Sequence, residues 1–145
     1  GRMEEILPGV YVDGAHNISA VEAFLQSIPQ DEQGNIILFS AVKDKEYEKM
    51  AAALCRGMRA EAYVVTHIED PRGTRSEQLG DIFRKYTDSP VIVRENVKDA
   101  LLWVLENRES RRVYCLGSLY LTGMIKELIQ EVKSDAELRR RVKEV

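Results

Sequence analysis

The stretch with the richest chemistry covers residues 13–17 and places a carboxylate, Asp13, an imidazole, His16, and an amide, Asn17, directly after the β-branched run Val10–Val12. A carboxylate at a strand end can accept hydrogen bonds from two neighbouring hydroxyl groups, as in ribose recognition, and the following Gly14 lets the backbone approach a ligand closely. The same residue types are favoured at helix starts, so a turn that merely caps a helix is an equally good interpretation of the spacing.

A second stretch, residues 117–123, follows an apolar run and opens a helical pattern. The Ser118 hydroxyl and nearby backbone N–H groups could hold an anion such as a carboxylate at the helix start. The stretch is neither a phosphate-binding P-loop nor a dinucleotide fingerprint, because its glycines have the wrong spacing and Met124 stands where the P-loop lysine would be. A plain N-cap at Ser118, with Gly117 allowing close packing, is an equal alternative.

Two further polar loops could face a ligand. Lys43-Asp44-Lys45 follows an apolar run, although a solvated helix start with an acidic cap is the simpler interpretation. Pro71-Arg72 lies within the polar loop of residues 69–74, which is long enough to reach over a strand end.

Neither metal nor nucleophilic chemistry is indicated. His67 with Glu69 and Asp70 resembles a metal cluster only loosely, and the chain has two histidines in all, so we expect no metal site. Cys55 falls in a helical pattern and Cys115 in an apolar run, which favours small buried hydrophobes in a reducing compartment over a disulfide or a metal site. No Ser-His-Asp or Cys-His arrangement can be defended.

Strand-like and helix-like segments alternate along the chain and position these loops. Alternating or continuous apolar runs predict strands at residues 6–7, 10–13, 36–39, 62–66, 91–93 and 113–116, the first two joined by a Pro-Gly turn into a hairpin. Apolar residues at helical spacing predict helices at residues 17–28, 44–56, 76–86, 97–105 and 119–132, and the charged tail 135–145 predicts one more helix.

This alternation predicts one Rossmann-like, doubly wound α/β domain over residues 1–145, with a mostly parallel sheet of about six strands, an antiparallel first strand and helices on both faces. In such sheets ligands bind beyond the carboxyl ends of the strands. The loops of interest are therefore residues 13–19, 40–44, 66–75, 94–96 and 117–121.

Composition excludes several classes of function. The formal charge of -3, with basic and acidic residues intermixed, leaves no basic face for nucleic acid. No apolar run reaches the roughly 20 residues that cross a bilayer, and the N-terminus lacks the profile of a signal peptide. We therefore expect a cytoplasmic protein without nucleic-acid or membrane partners.

Four motifs, in order and each after a strand pattern, resemble the C-terminal domain of folylpolyglutamate synthase/dihydrofolate synthase, in the Mur ligase superfamily. They are Asp13-Gly14-Ala15-His16-Asn17, Lys43-Asp44-Lys45, Pro71-Arg72 and Gly117-Ser118-Leu119-Tyr120. Gly1-Arg2-Met3-Glu4 also resembles the segment that joins the family's central ATPase domain to this one. Ile18 departs from the proline found in many relatives. The resemblance implies a fragment that lacks the N-terminal ATPase domain.

The resemblance also implies a reaction. Family members phosphorylate a folyl or pteroyl carboxylate with ATP and magnesium, and the amino group of glutamate attacks the acyl phosphate to form an amide. The phosphate-binding loop and magnesium ligands belong to the N-terminal domain, so we expect this chain alone to be inactive. The implied partners are ATP, glutamate, folate or dihydropteroate, and the N-terminal domain in cis.

By the same resemblance, individual residues have expected roles. Arg2 would stabilise the transferring phosphate as a catalytic residue, a role that suits a guanidinium. His16 would act as a catalytic and glutamate-binding residue in the cleft between the domains. Asp13 and Asn17 are expected to bind the nucleotide, with Asp13 holding the ribose hydroxyls. Ser118 is expected to bind glutamate. Lys43, Asp44 and Arg72 are expected to make further contacts in the cleft.

Two other functions stay open at this point. Another Mur-type ligase, acting on a peptidoglycan precursor, would share the same motifs. A stand-alone α/β module that binds a nucleotide or metabolite would share the fold without any ligase partner. The sequence does not separate dihydrofolate synthase from folylpolyglutamate synthase activity.

Overall fold

The computed structural model describes residues 3–29, 34–43 and 46–143, with side chains up to residue 136. Strands and helices alternate through this part of the chain after an initial strand pair. They are β1 (Glu4–Leu7), β2 (Val10–Val12), α1 (Ile18–Ser27), β3 (Asn35–Phe39), α2 (Tyr47–Gly57), β4 (Ala60–Thr66), α3 (Ser76–Arg84), β5 (Val91–Arg94), α4 (Val97–Asn107), β6 (Val113–Leu116) and α5 (Leu119–Lys143).

The strands form a six-stranded sheet in the order β1-β2-β6-β3-β4-β5. β1 pairs antiparallel with β2, and every other pairing is parallel, which confirms the predicted fold class. The last strand lies in the middle, because Cys115 of β6 faces Val12 of β2 on one side and Leu38 of β3 on the other.

Helices cover both faces of the sheet. Successive residues of a strand point to opposite faces, so the continuous apolar run of β3 buries Ile37 and Phe39 against α1, α2 and α3, and Ile36 and Leu38 against α4 and α5. Each side chain buried in this way contributes about 1.5–3 kcal/mol relative to exposure. The sheet is therefore held from both sides.

The N-terminal hairpin follows the predicted Pro-Gly turn. Gly9 has φ of 78°, a left-handed conformation that glycine adopts without steric cost, and Leu7 pairs with Val10 across the turn. The hairpin places β2 next to β6, so residue 13 emerges at the carboxyl edge of the sheet beside the end of β6.

Helix boundaries match the sequence patterns to within two residues, with two exceptions. α2 begins at Tyr47, and its predicted beginning at Asp44 lies outside the described residues. The separate tail helix was a wrong prediction, because α5 continues unbroken to Lys143. No glycine or proline follows Gly123 to end a helix, and the charge-rich composition alone does not interrupt the backbone hydrogen bonds. None of the helices in the described part is long and apolar enough to cross a membrane.

Candidate functional site

The loops at the carboxyl ends of β2 and β6 leave the sheet in opposite directions. β2 leads into α1 on one face, and its neighbour β6 leads into α5 on the other. Such a topological switch point opens a crevice in doubly wound sheets. A cavity of about 250 Å³ lies there, and its lining residues are His16, Val42, Ile68, Asp70, Arg72, Gly117, Ser118, Leu119 and Tyr120.

Asp13 is fixed at the end of β2. Its backbone N–H donates to the Cys115 carbonyl at 2.9 Å, and its Oδ1 accepts from the N–H of Ala15 at 2.8 Å. The residue is 8% exposed. A carboxylate has about four lone-pair directions, so the contact with Ala15 is compatible with further hydrogen bonds from a ligand's hydroxyl groups.

His16 lines the cavity with a defined tautomer. Its Nδ1 lies 2.8 Å from the carbonyl oxygen of Gly14. A carbonyl only accepts, so Nδ1 carries the proton in this contact and Nε2 of the neutral ring is an acceptor.

Asn17 caps helix α1, as its residue type favours. Its Oδ1 accepts a hydrogen bond from the N–H of Ala20 at 2.9 Å.

Gly117 joins the first and last loops. Its N–H donates to the Ala15 carbonyl at 2.8 Å, and its φ of 112° is one that residues with a side chain rarely adopt. A Cβ atom at this position would overlap the carbonyl oxygen of Ser40. Glycine is therefore needed for the close approach of three loops beneath the cavity.

Ser118 caps α5 on the cavity wall. Its Oγ accepts from the N–H of Tyr120 at 3.1 Å and from that of Leu121 at 3.4 Å. The hydroxyl hydrogen is a donor that this capping does not use. The positive end of α5 and this hydroxyl together favour a negatively charged ligand group at this wall.

The β3–α2 and β4–α3 loops are joined by a short antiparallel bridge between Val42 and Gly73. The Lys43 N–H donates to the Arg72 carbonyl at 2.6 Å, and the Thr74 N–H donates to the Ala41 carbonyl at 2.9 Å. The side chain of Arg72 reaches Asp70, with Nε 3.2 Å from Oδ1. Hydrogen bonds from Arg72 lower the pKa of Asp70, so this carboxyl is held ionised.

Three of the predicted site residues, His16, Arg72 and Ser118, line this one cavity. Asp13 and Asn17 belong to the same loop as His16 without lining the cavity, and Lys43 is an exposed neighbour of Val42.

Arg2 and Asp44, which were predicted to act at the site, lie outside the described residues. The apolar walls formed by Val42 and Ile68 were missed. An apolar residue just after a strand is indistinguishable by sequence from core, and Ile68 is indeed fully buried.

His67 belongs to a separate cavity of about 170 Å³, which it lines with Arg75, Ser76, Glu77 and Glu95. Its Nδ1 lies 3.2 Å from the Thr74 carbonyl oxygen. The described residues contain no group of three His, Cys, Asp or Glu side chains arranged to hold a metal ion.

A family model for the glutamate ligase domain of Mur ligases matches residues 1–119. Among curated proteins, the dihydrofolate synthase/folylpolyglutamate synthase of Bacillus subtilis is 29% identical over 135 residues, which cover 90% of this chain and 30% of that protein. The chain thus spans about 30% of the length of this relative.

Solved structures share the fold. Mycobacterium tuberculosis folylpolyglutamate synthase, complexed with ADP and AMPPCP, superposes with a TM-score of 0.75 at 23% identity, over 88% of this chain and 31% of that one. A bifunctional folylpolyglutamate synthase/dihydrofolate synthase with Mn, AMPPNP and L-glutamate bound gives a TM-score of 0.69 at 20% identity, over 86% of this chain and 32% of that one.

Proposed function

The chain belongs to the Mur ligase family as a glutamate ligase domain, and on that premise we propose that it is the C-terminal part of an ATP-dependent ligase that adds glutamate to folate or dihydropteroate. The observation that carries the proposal is the cavity at the switch point, which His16, Arg72 and Ser118 line together. The relative from Bacillus subtilis, a dihydrofolate synthase/folylpolyglutamate synthase, supports the choice of acid substrate.

The proposed reaction has two steps. A carboxylate oxygen of the folyl or pteroyl substrate attacks the γ-phosphorus of ATP, the bond to ADP breaks, and an acyl phosphate forms. The amino nitrogen of glutamate then attacks the acyl carbon, the carbon–oxygen bond to phosphate breaks, and the nitrogen loses a proton. The products are ADP, phosphate and an amide.

Residues around the cavity of this chain would bind the incoming glutamate. Ser118 and the N-terminus of α5 suit a carboxylate, because a hydroxyl hydrogen and the positive helix end both favour negative charge. His16 presents Nε2 as an acceptor in its neutral form, which suits an approaching amino group. Arg2 is proposed, from the family resemblance, to stabilise the transferring phosphate.

The nucleotide would lie at the end of β2. Asp13 fits ribose hydroxyl groups, since its carboxylate is fixed by the Ala15 N–H and has further lone pairs to offer. Asn17 is proposed to contribute at this end while it caps α1. The magnesium ligands are proposed, from the family resemblance, to belong to the N-terminal domain.

The remaining machinery is proposed to lie in an N-terminal ATPase domain in cis. Closure of two domains around the substrates would exclude water, which otherwise hydrolyses an acyl phosphate. At this edge Leu119 is 58% exposed and Tyr120 is 41% exposed. These exposed apolar side chains support the proposal that another domain covers this edge of the sheet.

A substrate panel on the full-length protein tests the proposal. We expect ADP and phosphate release with folate or dihydropteroate plus glutamate, and no turnover by residues 1–145 alone. Asp13→Ala and Ser118→Ala should each lower kcat/KM by at least about tenfold, because each removes a polar contact to a substrate. Ser134→Ala, on the exposed part of α5, is the matched control and should leave turnover unchanged.

Two outcomes would replace the proposal. Turnover only with a different acid, such as a peptidoglycan precursor, would make the protein another Mur-type ligase. Nucleotide or metabolite binding by the full-length protein without turnover of any acid would favour a binding module.

A further inference from the structure

Helix α5 extends beyond the packed part of the domain. It has 25 residues, whereas the other helices have 9 to 11, and it is about 37 Å long. Its first three turns bury Leu121, Ile125 and Ile129. Every residue from Gln130 to Ala136, where the described side chains end, is exposed. About two turns of this helix therefore have no buried side.

The distal part of α5, residues 130–143, lies away from the candidate cavity. The helix begins at the cavity wall, at the carboxyl end of β6. Lys126 forms an ion pair with Glu4 at 2.7 Å, and Lys133 Nζ donates to the Ile6 carbonyl at 3.3 Å. Because β1 runs antiparallel to β2, this path leads to the opposite edge of the sheet. A partner bound to the distal part of α5 would leave the cavity open.

A helical segment that is exposed on all sides is weakly stable by itself. Helices shorter than about 12–15 residues are marginal in water, and most helical stability in proteins comes from packing against another element. Val132 lies in this segment and is 56% exposed. A partner that covers Val132 would therefore stabilise the distal part of α5.

The charge of α5 changes sign along its distal half. Glu127, Glu131 and Asp135 come first, and the basic residues 139–141 and Lys143 follow. A second copy in parallel orientation would place like charges side by side. A second copy in antiparallel orientation would place acidic residues beside basic ones. The sequence is thus complementary to itself, as a two-fold interface requires.

We propose that the distal part of α5 pairs antiparallel with the same segment of a second copy of this chain, with the two-fold axis beside Asp135. Residues equally far before and after 135 then face each other. At about 100° per residue, these positions fall within about 160° on one side of the helix. The opposed pairs, each present twice, are Glu127 with Lys143, Leu128 with Val142, Glu131 with Arg139 and Val132 with Leu138.

This arrangement has the features of a short antiparallel coiled coil. Apolar pairs lie along the contact and opposite charges flank it. The paired stretch spans only about 24 Å, and two single helices of this length bury less than the roughly 1,200–2,000 Å² of a standard interface. We therefore expect a dimer that dissociates at micromolar concentrations and weakens with salt, because its ion pairs are exposed. The inference does not depend on the proposed function.

Sedimentation velocity of the full-length protein between about 1 and about 200 μM tests the dimer. Arg139→Glu should raise the Kd by about tenfold, because two attractions in the dimer become two repulsions. Combining it with Glu131→Arg should restore a Kd within about threefold of wild type. Lys98→Glu, at an exposed position of α4, is the matched control and should leave the Kd unchanged.

Cross-linking tests the register in a Cys55→Ser background, in which the remaining Cys115 is buried. Asp135→Cys should form a disulfide-linked dimer on oxidation, because the two copies of residue 135 meet at the axis. Val132→Cys should not, since its two copies lie about 9 Å apart along the axis, beyond the reach of a disulfide.

Three results would overturn the inference. They are a protein that stays monomeric at every concentration, a Kd that Arg139→Glu does not change, and equal cross-linking through residues 132 and 135, which indicates a parallel pair. Restored dimerisation in the charge-swapped double variant would support the antiparallel register, because only residues that face each other compensate in this way.

Discussion

At the scale of single residues, Gly117 connects the parts of the candidate site. Its N–H bonds the loop that holds His16, and its missing side chain leaves room for the Ser40 carbonyl. The next residue, Ser118, begins α5 at the cavity wall. One glycine thus fixes the spacing between the groups that are proposed to meet the amino acid.

Gly117→Ala should destabilise the fold by about 1–3 kcal/mol from backbone strain, and by more if the loops cannot separate to admit the Cβ. Urea unfolding measures the change. Gly123→Ala is the matched control, since a Cβ at Gly123 in α5 meets no atom within 4 Å. It should stabilise the helix by about 0.5–1 kcal/mol. Equal effects of both substitutions would contradict the role given to Gly117.

At the scale of elements, polar contacts join α2 to the two residues that follow α3. The Tyr86 hydroxyl donates to Glu48 Oε2 at 2.7 Å, and Lys85 lies 3.3 Å from the same oxygen. These hydrogen bonds, that from Tyr86 foremost, lower the pKa of Glu48 below its ordinary value of 4.5. The ionised carboxylate is therefore favoured in the folded state.

The stabilisation from Glu48 should be present above pH 4.5 and be lost as the pH falls through the lower pKa of the folded state. The difference in unfolding free energy between wild type and Tyr86→Phe should accordingly shrink between about pH 6 and about pH 3. Tyr47→Phe is the control, because the Tyr47 hydroxyl accepts from the neutral amide of Gln78 at 2.7 Å. A Tyr86→Phe difference that is constant with pH would refute the assignment.

Element order and type were predictable because each signal is local. The run of β3, the cap at Asn17 and the Pro-Gly turn each depend on neighbouring residues alone. The uninterrupted α5 was not predicted, because charged residues at its end looked like a separate segment. The polar members of the site were found as motifs. The walls at Val42 and Ile68 depend on which loops meet in space, and that information is absent from local patterns.

At the scale of the whole molecule, Cys115 reports on the integrity of the sheet. It lies in β6, between β2 and β3, with no exposed surface. Burial raises the pKa of its thiol to about 12. The reactive thiolate is therefore scarce in the folded protein.

In a Cys55→Ser variant, iodoacetamide at about pH 8 should label Cys115 only through global unfolding. The opening free energy derived from the labelling rate should then equal that from urea unfolding. Labelling as fast as in the denatured chain would mean that β6 opens independently of the rest of the sheet. Cys55, which is half-buried in α2, is removed so that a single thiol is observed.

The central position of β6 also constrains the order of folding. The preceding strands can pair as two separate groups, β1 with β2 and β3 with β4 and β5, but β6 must insert before these groups become one sheet. During synthesis the ribosome must release residues 113–116 before that step, and such long-range pairing is slow and exposes apolar strand edges meanwhile. His16 and Ser118 come together in the same event, so the candidate site forms only when the sheet closes.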